Sequence, residues 1–368
     1  MCSMTDLPDL CEARCASLRA LLGAQGLDGL IVTHLANIQY LTGFRGSAAV
    51  AVVLPTVTAV VTDFRYATQV HDEVGAGTRV ETAATDVWQR LWSVIGEYSG
   101  VAVLGYERDT VTVATSERLM AAGGSWRLEA AGGLVEQLRA RKHPSEVAAI
   151  REAAALALDA LAATVDAITP GATELGVAAS LEHELRRRGS EWHPFPTIVA
   201  SGPRSALPHA RTTGRTLVRG DLVLLDFGAQ VNGYCADLSR TFVLGRADER
   251  QRAVYDLVCE AQRHARTAMR SGMTGREADD LARSRIAARG FGEAFGHSLG
   301  HGIGLEVHEA PRVSRSNTNA LPDDAVVTIE PGIYLPGWGG VRIEDNVCLR
   351  PDGALLLSDG LTELRELG

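Results

Sequence analysis

The second half of the chain repeats itself, and the repeat limits what it can fold into. Gly171-Ala-Thr173 opens a predicted helix that closes at Arg186-Arg-Arg-Gly189, and Gly272-Met-Thr274 opens another that closes at Arg289-Gly290. The two are offset by 101 residues at both ends. Each has a Thr where an N-cap oxygen is needed and a Gly where a left-handed C-terminal turn falls. Thr274 with Glu277 also fits a capping box. An apolar strand follows in each copy, Leu222-Val-Leu-Leu-Asp226-Phe-Gly228 and Val326-Val-Thr-Ile-Glu330-Pro-Gly332, offset by 104. Then comes a turn, Asn232-Gly-Tyr or Pro336-Gly-Trp, and Asn-Gly favours a tight hairpin. The returning strand brings a second acid, Asp237 or Glu344. The unit is helix, helix and a hairpin with two acids, used twice. Single apolar strands match by chance, but caps, strands, turns and acids in one order at nearly one offset do not.

The first third alternates helix and strand. Residues 18–27 read as a helix, 29–33 as a buried strand and 37–46 as a polar, Gly-containing loop. Two Val-rich strands, 48–54 and 58–62, are parted by Pro55. A helix over 86–98 and a strand over 101–105 continue the pattern. This predicts a small α/β domain over residues 1–135 and a second domain over 136–368. The polar, Pro-broken Arg141-Lys-His-Pro144-Ser-Glu marks the junction, and Pro144 suits a first helical turn. Val147, Ile150, Ala154, Leu158, Leu161, Val165 and Ile168 then form one apolar stripe, stopped by Pro170-Gly171.

Composition removes several classes. With 46% hydrophobic and 22% charged residues among 368, the chain supports a large core and is not disordered. A net charge of −9 argues against a dedicated nucleic-acid binder. No apolar run reaches the roughly 18 residues of a membrane span. The N-terminus lacks a basic-then-apolar signal pattern. Six cysteines (Cys2, Cys11, Cys15, Cys235, Cys259, Cys348) contain no C-x-x-C pair, so free thiols and a cytoplasmic location are expected.

The four repeated acids carry the chemistry. Asp226 and Asp237 are 11 residues apart, Glu330 and Glu344 are 14 apart. An acid ending a buried strand is costly unless paired or bound to a cation. Facing carboxylates repel, and a divalent ion resolves the repulsion. The segment His297-Ser-Leu-Gly-His301-Gly-Ile-Gly-Leu-Glu-Val-His308-Glu309 adds three histidines among glycines, which favour strand or loop over helix. Four carboxylates with one imidazole suit Mn²⁺ first, then Co²⁺, Fe²⁺ or Zn²⁺. Five ligands exceed the needs of one ion, so two ions about 3.5–4 Å apart are expected. Cys235 is read as a packing residue on the same strand face as Asp237.

At these residues the sequence resembles the pita-bread metallopeptidases of the creatinase/prolidase type, within their proline-specific branch of aminopeptidase P and prolidase. The resemblance rests on Leu225-Asp226-Phe-Gly with Asp237, Gly300-His301-Gly-Ile-Gly-Leu-Glu-Val-His308-Glu309, Thr328-Ile-Glu330-Pro-Gly and Val341-Arg342-Ile-Glu344. Ala200-Ser-Gly-Pro, Pro208-His209-Ala210 and the Arg141 linker also match. It covers nearly the whole chain and implies a creatinase-like N-terminal α/β domain before a pita-bread α+β catalytic domain.

The resemblance also implies roles. Asp226 would be a bidentate ligand of the first ion. Asp237 and Glu344 would bridge both, and His301 and Glu330 would complete the second. Glu330 would help deprotonate the bridging water, giving a hydroxide nucleophile. His209 and His308 would stabilise the oxyanion and move protons, and His297 and Arg342 would shape the proline pocket. Relatives are usually dimers. An enzyme cutting Xaa-Pro bonds must protonate a tertiary amide nitrogen on departure. An Xaa-Pro dipeptidase is expected, with aminopeptidase P acting on longer peptides as the alternative. Arg45, in a glycine-flanked loop, is the candidate clamp for a dipeptide carboxylate. The extra N-terminal domain argues against a methionine aminopeptidase, and the intact acids argue against creatine hydrolysis or a non-catalytic binding module. Phe195 stands where some relatives carry a Tyr whose hydroxyl supports a ligand.

Overall fold

The structure, a computed structural model, describes residues 7–121, 126–360 and 362–368; Cys2 lies outside them. It divides into two compact units, Met1–Arg139 and Ala140–Gly368.

The first unit is an α/β layer. Its strands β1 (Gly29–Val32), β2 (Ala49–Val53), β3 (Thr58–Asp63), β4 (Thr78–Ala83), β5 (Val103–Glu107) and β6 (Arg127–Ala131) form one sheet in the order β4-β3-β2-β1-β5-β6. Helices α1 (Leu7–Ala24), α2 (Leu35–Thr42), α3 (Gln69–Glu73), α4 (Val87–Gly96), α5 (Val113–Met120) and α6 (Leu134–Arg139) accompany it. Ile31, Val52, Val61, Leu91 and Leu104 are fully buried in its core. The expected boundary at residue 135 falls within α6, which belongs whole to the first unit.

One expectation is corrected here: much of the segment 37–46 is helix, not loop. Asn37 made it look polar, yet Asn37 is fully buried. Its Nδ2 donates to Glu107 and Glu136, each at 2.6 Å, and its Oδ1 accepts from Arg139 at 2.7 Å. These partners lie 70 to 102 residues away, beyond any local pattern. Gly43 ends α2 with φ +86°, a left-handed cap that glycine adopts without strain. Arg45 follows, exposed, with its backbone N–H donated to Glu73 at 2.8 Å.

The second unit shows the repeat. Helices α7 (Pro144–Thr164) and α8 (Glu174–Arg187) precede strands β7 (Ile198–Ser201), β8 (Leu222–Phe227), β9 (Gln230–Val231), β10 (Tyr234–Cys235) and β11 (Leu238–Leu244). Helices α9 (Glu249–Ala268) and α10 (Gly275–Ala288) precede β12 (Gly300–Gly302), β13 (Glu309–Val313), β14 (Val326–Ile329), β15 (Gly332–Leu335), β16 (Gly339–Arg342), β17 (Asp345–Arg350) and β18 (Gly353–Leu356), with β19 (Glu366–Leu367) at the end. The caps form as read. Thr173 accepts from the Gly176 N–H at 3.0 Å, and Thr274 with Glu277 makes a full capping box. Pro144 occupies the first turn of α7.

Each helix pair covers its own sheet. Ala153, Ala157, Leu161 and Leu181 pack with Val223, Leu225 and Phe242, under the sheet β19-β11-β8-β7. Val254, Val258, Ala282 and Ile286 pack with Val327, Ile329 and Val347, under the sheet β13-β12-β14-β17-β18. This is the duplicated pita-bread arrangement. In the first copy Asn232 (φ +52°) and Gly233 (φ +81°) make the two-residue turn between β9 and β10. Among the described residues, no helix is long and apolar enough to cross a membrane.

Candidate metal centre

Strand ends and joints deliver all five expected ligands to one place. Asp226 is the fifth residue of β8 and stands opposite Ser239 of β11. Asp237 immediately precedes β11, Glu330 follows β14, and Glu344 sits between β16 and β17. His301 is the middle of β12. The glycines around it are there for close approach. A Cβ on Gly300 would lie 2.0 Å from the Thr328 carbonyl oxygen, and one on Gly302 would lie 2.2 Å from that of Ala310. Only bare backbone lets β12 lie this close to β13 and β14. Likewise a Cβ on Gly228 would meet the Ala236 oxygen at 2.2 Å, so glycine there permits the turn between the two aspartates.

The five side chains line a cavity of about 740 Å³, together with His209, His297, His308, Arg342 and Phe195. His301 Nε2 is 3.7 Å from Asp237 Oδ2 and 3.5 Å from Glu330 Oε1. Asp237, His301 and Glu344 each offer a ligand atom within 4.8 Å of the others. Three carboxylate oxygens there, Asp226 Oδ1, Asp237 Oδ1 and Glu344 Oε1, are buried without a hydrogen-bond partner. Buried acceptors are costly to leave unpaired, so three at one point fit a cation-binding site. Hard oxygens with one imidazole fit a divalent one.

The electrostatics agree. Burial, then the charges of Glu344, Asp226 and Glu330, push the Asp237 carboxyl well above its usual range. Burial, then Glu330 and Asp226, do the same to Glu344. Burial pushes Glu330 up to about 8. Burial, reinforced by His308 close by, brings His301 down to about 3, so its ring is neutral at pH 7, as a metal ligand must be.

Arg342 is the counter-ion within the cluster. Its guanidinium donates to Asp226 Oδ2 at 2.6 Å, Ser239 Oγ at 2.8 Å, Tyr334 Oη at 2.8 Å and the Pro208 carbonyl at 3.1 Å. Its donors orient acids and a loop. Ser239 Oγ in turn donates to Glu344 Oε2 at 2.8 Å. His297 Nε2 lies 3.0 Å from Tyr334 Oη, and burial lowers its pKa to about 4. His308 stacks edge-on against His301, ring centroids 4.2 Å apart. His209 is exposed on the cavity wall. The loop carrying His209 is pinned at both ends by buried Glu174, which accepts from Ser201 Oγ (2.8 Å) and Thr213 Oγ1 (2.7 Å). Cys235 departs from the expected face: it joins the apolar cluster of Val147, Ile150 and Ile303, while Asp237 lines the cavity. The strand is interrupted between them, so alternation does not carry across.

Arg45 belongs to the first unit, and every residue lining the cavity belongs to the second. Sequence reasoning missed Arg312, a cavity-lining cation with no carboxylate partner among the described residues. It also missed Tyr334, Ser239, Glu174 and Asn346. Their immediate neighbours in sequence give no signal, because their partners lie on other strands, loops or helices.

An acid-rich pocket with one imidazole among its acids, at the join of a duplicated fold, defines a metallohydrolase scaffold. The chain belongs to the metallopeptidase family M24, which matches residues 148–351, and residues 14–141 match the creatinase/prolidase N-terminal domain. It is therefore an enzyme of a family that uses divalent metal ions. It is 33% identical to the Xaa-Pro dipeptidase of Pyrococcus horikoshii over 97% of this chain and 99% of that one. The solved Xaa-Pro dipeptidase of Bacillus anthracis matches with a TM-score of 0.94 at 37% identity, covering 97% of this chain and 100% of that one. The X-Pro aminopeptidase of Thermotoga maritima matches with a TM-score of 0.89 at 35% identity, covering 96% and 99%.

Proposed function

We infer that this protein is an Xaa-Pro dipeptidase working with two divalent ions, Mn²⁺ foremost, held by Asp226, Asp237, His301, Glu330 and Glu344. The observation that carries this is the set of three orphaned carboxylate oxygens beside a neutral imidazole. When bound, such ions supply Lewis acidity and a nucleophile derived from water at neutral pH. The chain's own residues do the rest. Glu330, with its raised pKa, accepts the proton of the attacking water. His209 and His308 donate hydrogen bonds to the developing oxyanion, and a protonated group on this wall serves the departing proline nitrogen. Arg342 holds Asp226 and, through Ser239, Glu344 in place.

Arg312 favours a dipeptide over a longer peptide. A dipeptide puts its carboxylate one residue past the scissile bond, and an uncommitted guanidinium in the cavity receives it. Arg45 is proposed as a second clamp. The aminopeptidase P reading predicts instead that a free carboxylate there is dispensable. The deciding assay compares an Xaa-Pro dipeptide with an Xaa-Pro-Xaa tripeptide, with and without Mn²⁺, on wild type, Arg312→Ala and Arg45→Ala. Dipeptide preference that either substitution erodes supports the reading; equal rates on both substrates overturn it. A homodimer in the cytoplasm completes the proposal, and sedimentation tests the former.

A further inference from the structure

The two halves of the catalytic unit meet along a seam. On its outer edge β11 pairs with β19 only at Val243 and Leu244, so residues 237–241 present an open strand edge. Facing it is the stretch 342–346, where β18 pairing has not begun. Three contacts join them in strict antiparallel step. Asn346 meets Asp237, Glu344 meets Ser239 and Arg342 meets Thr241. Two steps forward on one strand match two steps back on the other, as in a β-ladder. Among the described residues one backbone bond crosses, Glu344 N–H to the Ser239 carbonyl at 3.1 Å. Side chains stand in for the others.

Asn346 is the stand-in that touches a ligand's main chain twice. Its Oδ1 accepts the Asp237 N–H at 3.2 Å, and its Nδ2 donates to the Asp237 carbonyl at 2.7 Å. An Asn amide presents a donor and an acceptor side by side, so it copies a strand residue. Asn346 is fully buried, and its own backbone is held by Ser358 Oγ and the Leu357 N–H, both at 2.9 Å. It also stands opposite Thr328, whose hydroxyl accepts the His301 N–H at 3.1 Å. Its amide therefore fixes Asp237, on one half, relative to Glu344, two residues before it on the other.

We propose that Asn346 is a positioning residue for the metal centre, setting the separation of Asp237 and Glu344 across the join of the two halves. The inference rests on the reading that these acids bind metal. Groups that orient ligands typically carry about 10–100-fold in metal affinity.

The test titrates the full-length protein with Mn²⁺ against a chromophoric chelator, and records the visible spectrum of the Co²⁺-loaded form. Asn346→Ala weakens both binding steps about tenfold or more and changes the Co²⁺ bands. Asn346→Asp, which is isosteric, keeps the acceptor for the Asp237 N–H but loses the donor, and is weakened likewise if the alanine variant does not fold. Asn37→Ala removes a comparably buried amide within the first unit, away from the seam, and leaves Mn²⁺ affinity unchanged. Wild-type affinity and spectrum in both Asn346 variants, or an equal loss in Asn37→Ala, overturn the proposal. A wild-type protein that binds no Mn²⁺ fails earlier and sinks the metal reading with it.

Discussion

The two halves of the catalytic unit share a plan but not a role. The first supplies two aspartates on short arms and one histidine on a pinned loop. The second supplies two glutamates, three histidines and the arginine that reaches back to Asp226. Duplication provided matching strand ends. Divergence then placed Glu330 and His301 in the second copy beside Asp237 of the first, and the proton affinities of all three are displaced. The first half reads as an anchor and the second as the reactive wall. That contrast can be broken experimentally.

The largest effect is expected from the acids that face each other across the join. Asp237→Ala and Glu344→Ala should lose both metal equivalents and fall to background activity, whereas Asp226→Ala and His301→Ala should retain one equivalent. Metal content by mass spectrometry of purified, Mn²⁺-loaded variants reads this directly. One equivalent left in Asp237→Ala would remove the bridging assignment.

Next come the two wall histidines, one from each half. His209→Ala and His308→Ala should each lower kcat by about 10²–10³-fold, the usual cost of an oxyanion donor. They should differ in one respect. His308 packs on the ring of His301, so its loss should also weaken Mn²⁺ binding, while loss of His209 should not. Identical behaviour would mean that the halves are not specialised in this way.

The acids were legible in the sequence because each sits at or beside a strand end that the repeat marks twice, and His301 because it lies in a histidine- and glycine-rich motif of the family. Glycines at 300 and 302 showed that backbone packing is tight there. What stayed hidden shares one cause. Asn37 made the segment containing α2 look like loop because its partners are Glu107, Glu136 and Arg139. Asn346, Ser239 and Glu174 look like ordinary polar residues until the strands opposite them are in place. Patterns of period 2 or 3.6 report which face is apolar, and they carry nothing about a buried amide with a distant partner. Cys235 failed for a local reason, a break between β10 and β11 that alternation cannot foresee.

A moderate effect concerns pH and the metal-free protein. Asp237, Glu330 and Glu344 have folded pKa values above their ordinary ones. Folding therefore favours their protonated forms, and their stabilisation is lost as pH rises from the ordinary carboxylate range toward about 8, where Glu330 titrates. His297 and His301 have lowered values, so they penalise folding only below about 6.5, their ordinary pKa. Across pH 6.5 to 8 the opposing contribution of the histidines, His264 and His308 included, fades and the acids come to set the slope. The melting temperature of the metal-free protein should fall across that interval, and Mn²⁺ should abolish the fall by binding the charged forms. A flat or rising profile without metal would contradict the acid cluster.

The smallest effect compares the duplicated helix caps. Thr173 satisfies one N–H, that of Gly176, whereas Thr274 and Glu277 satisfy each other's backbone N–H groups at 3.2 and 2.8 Å. Replacing an N-cap Thr by Ala costs about 1 kcal/mol, which in a unit of this size lowers Tm by roughly 2–4 °C. Thr274→Ala should cost more than Thr173→Ala, because it also strips the hydroxyl that donates to Glu277 Oε2 at 2.9 Å and leaves that carboxylate's position loose. The bonds of both caps stay within their own helix ends, so kcat at a temperature well below the melt should be unchanged in both. If Thr173→Ala proves the costlier, the first half draws stability from its cap that the second draws elsewhere, and the anchor role assigned to the first half gains a second, independent basis.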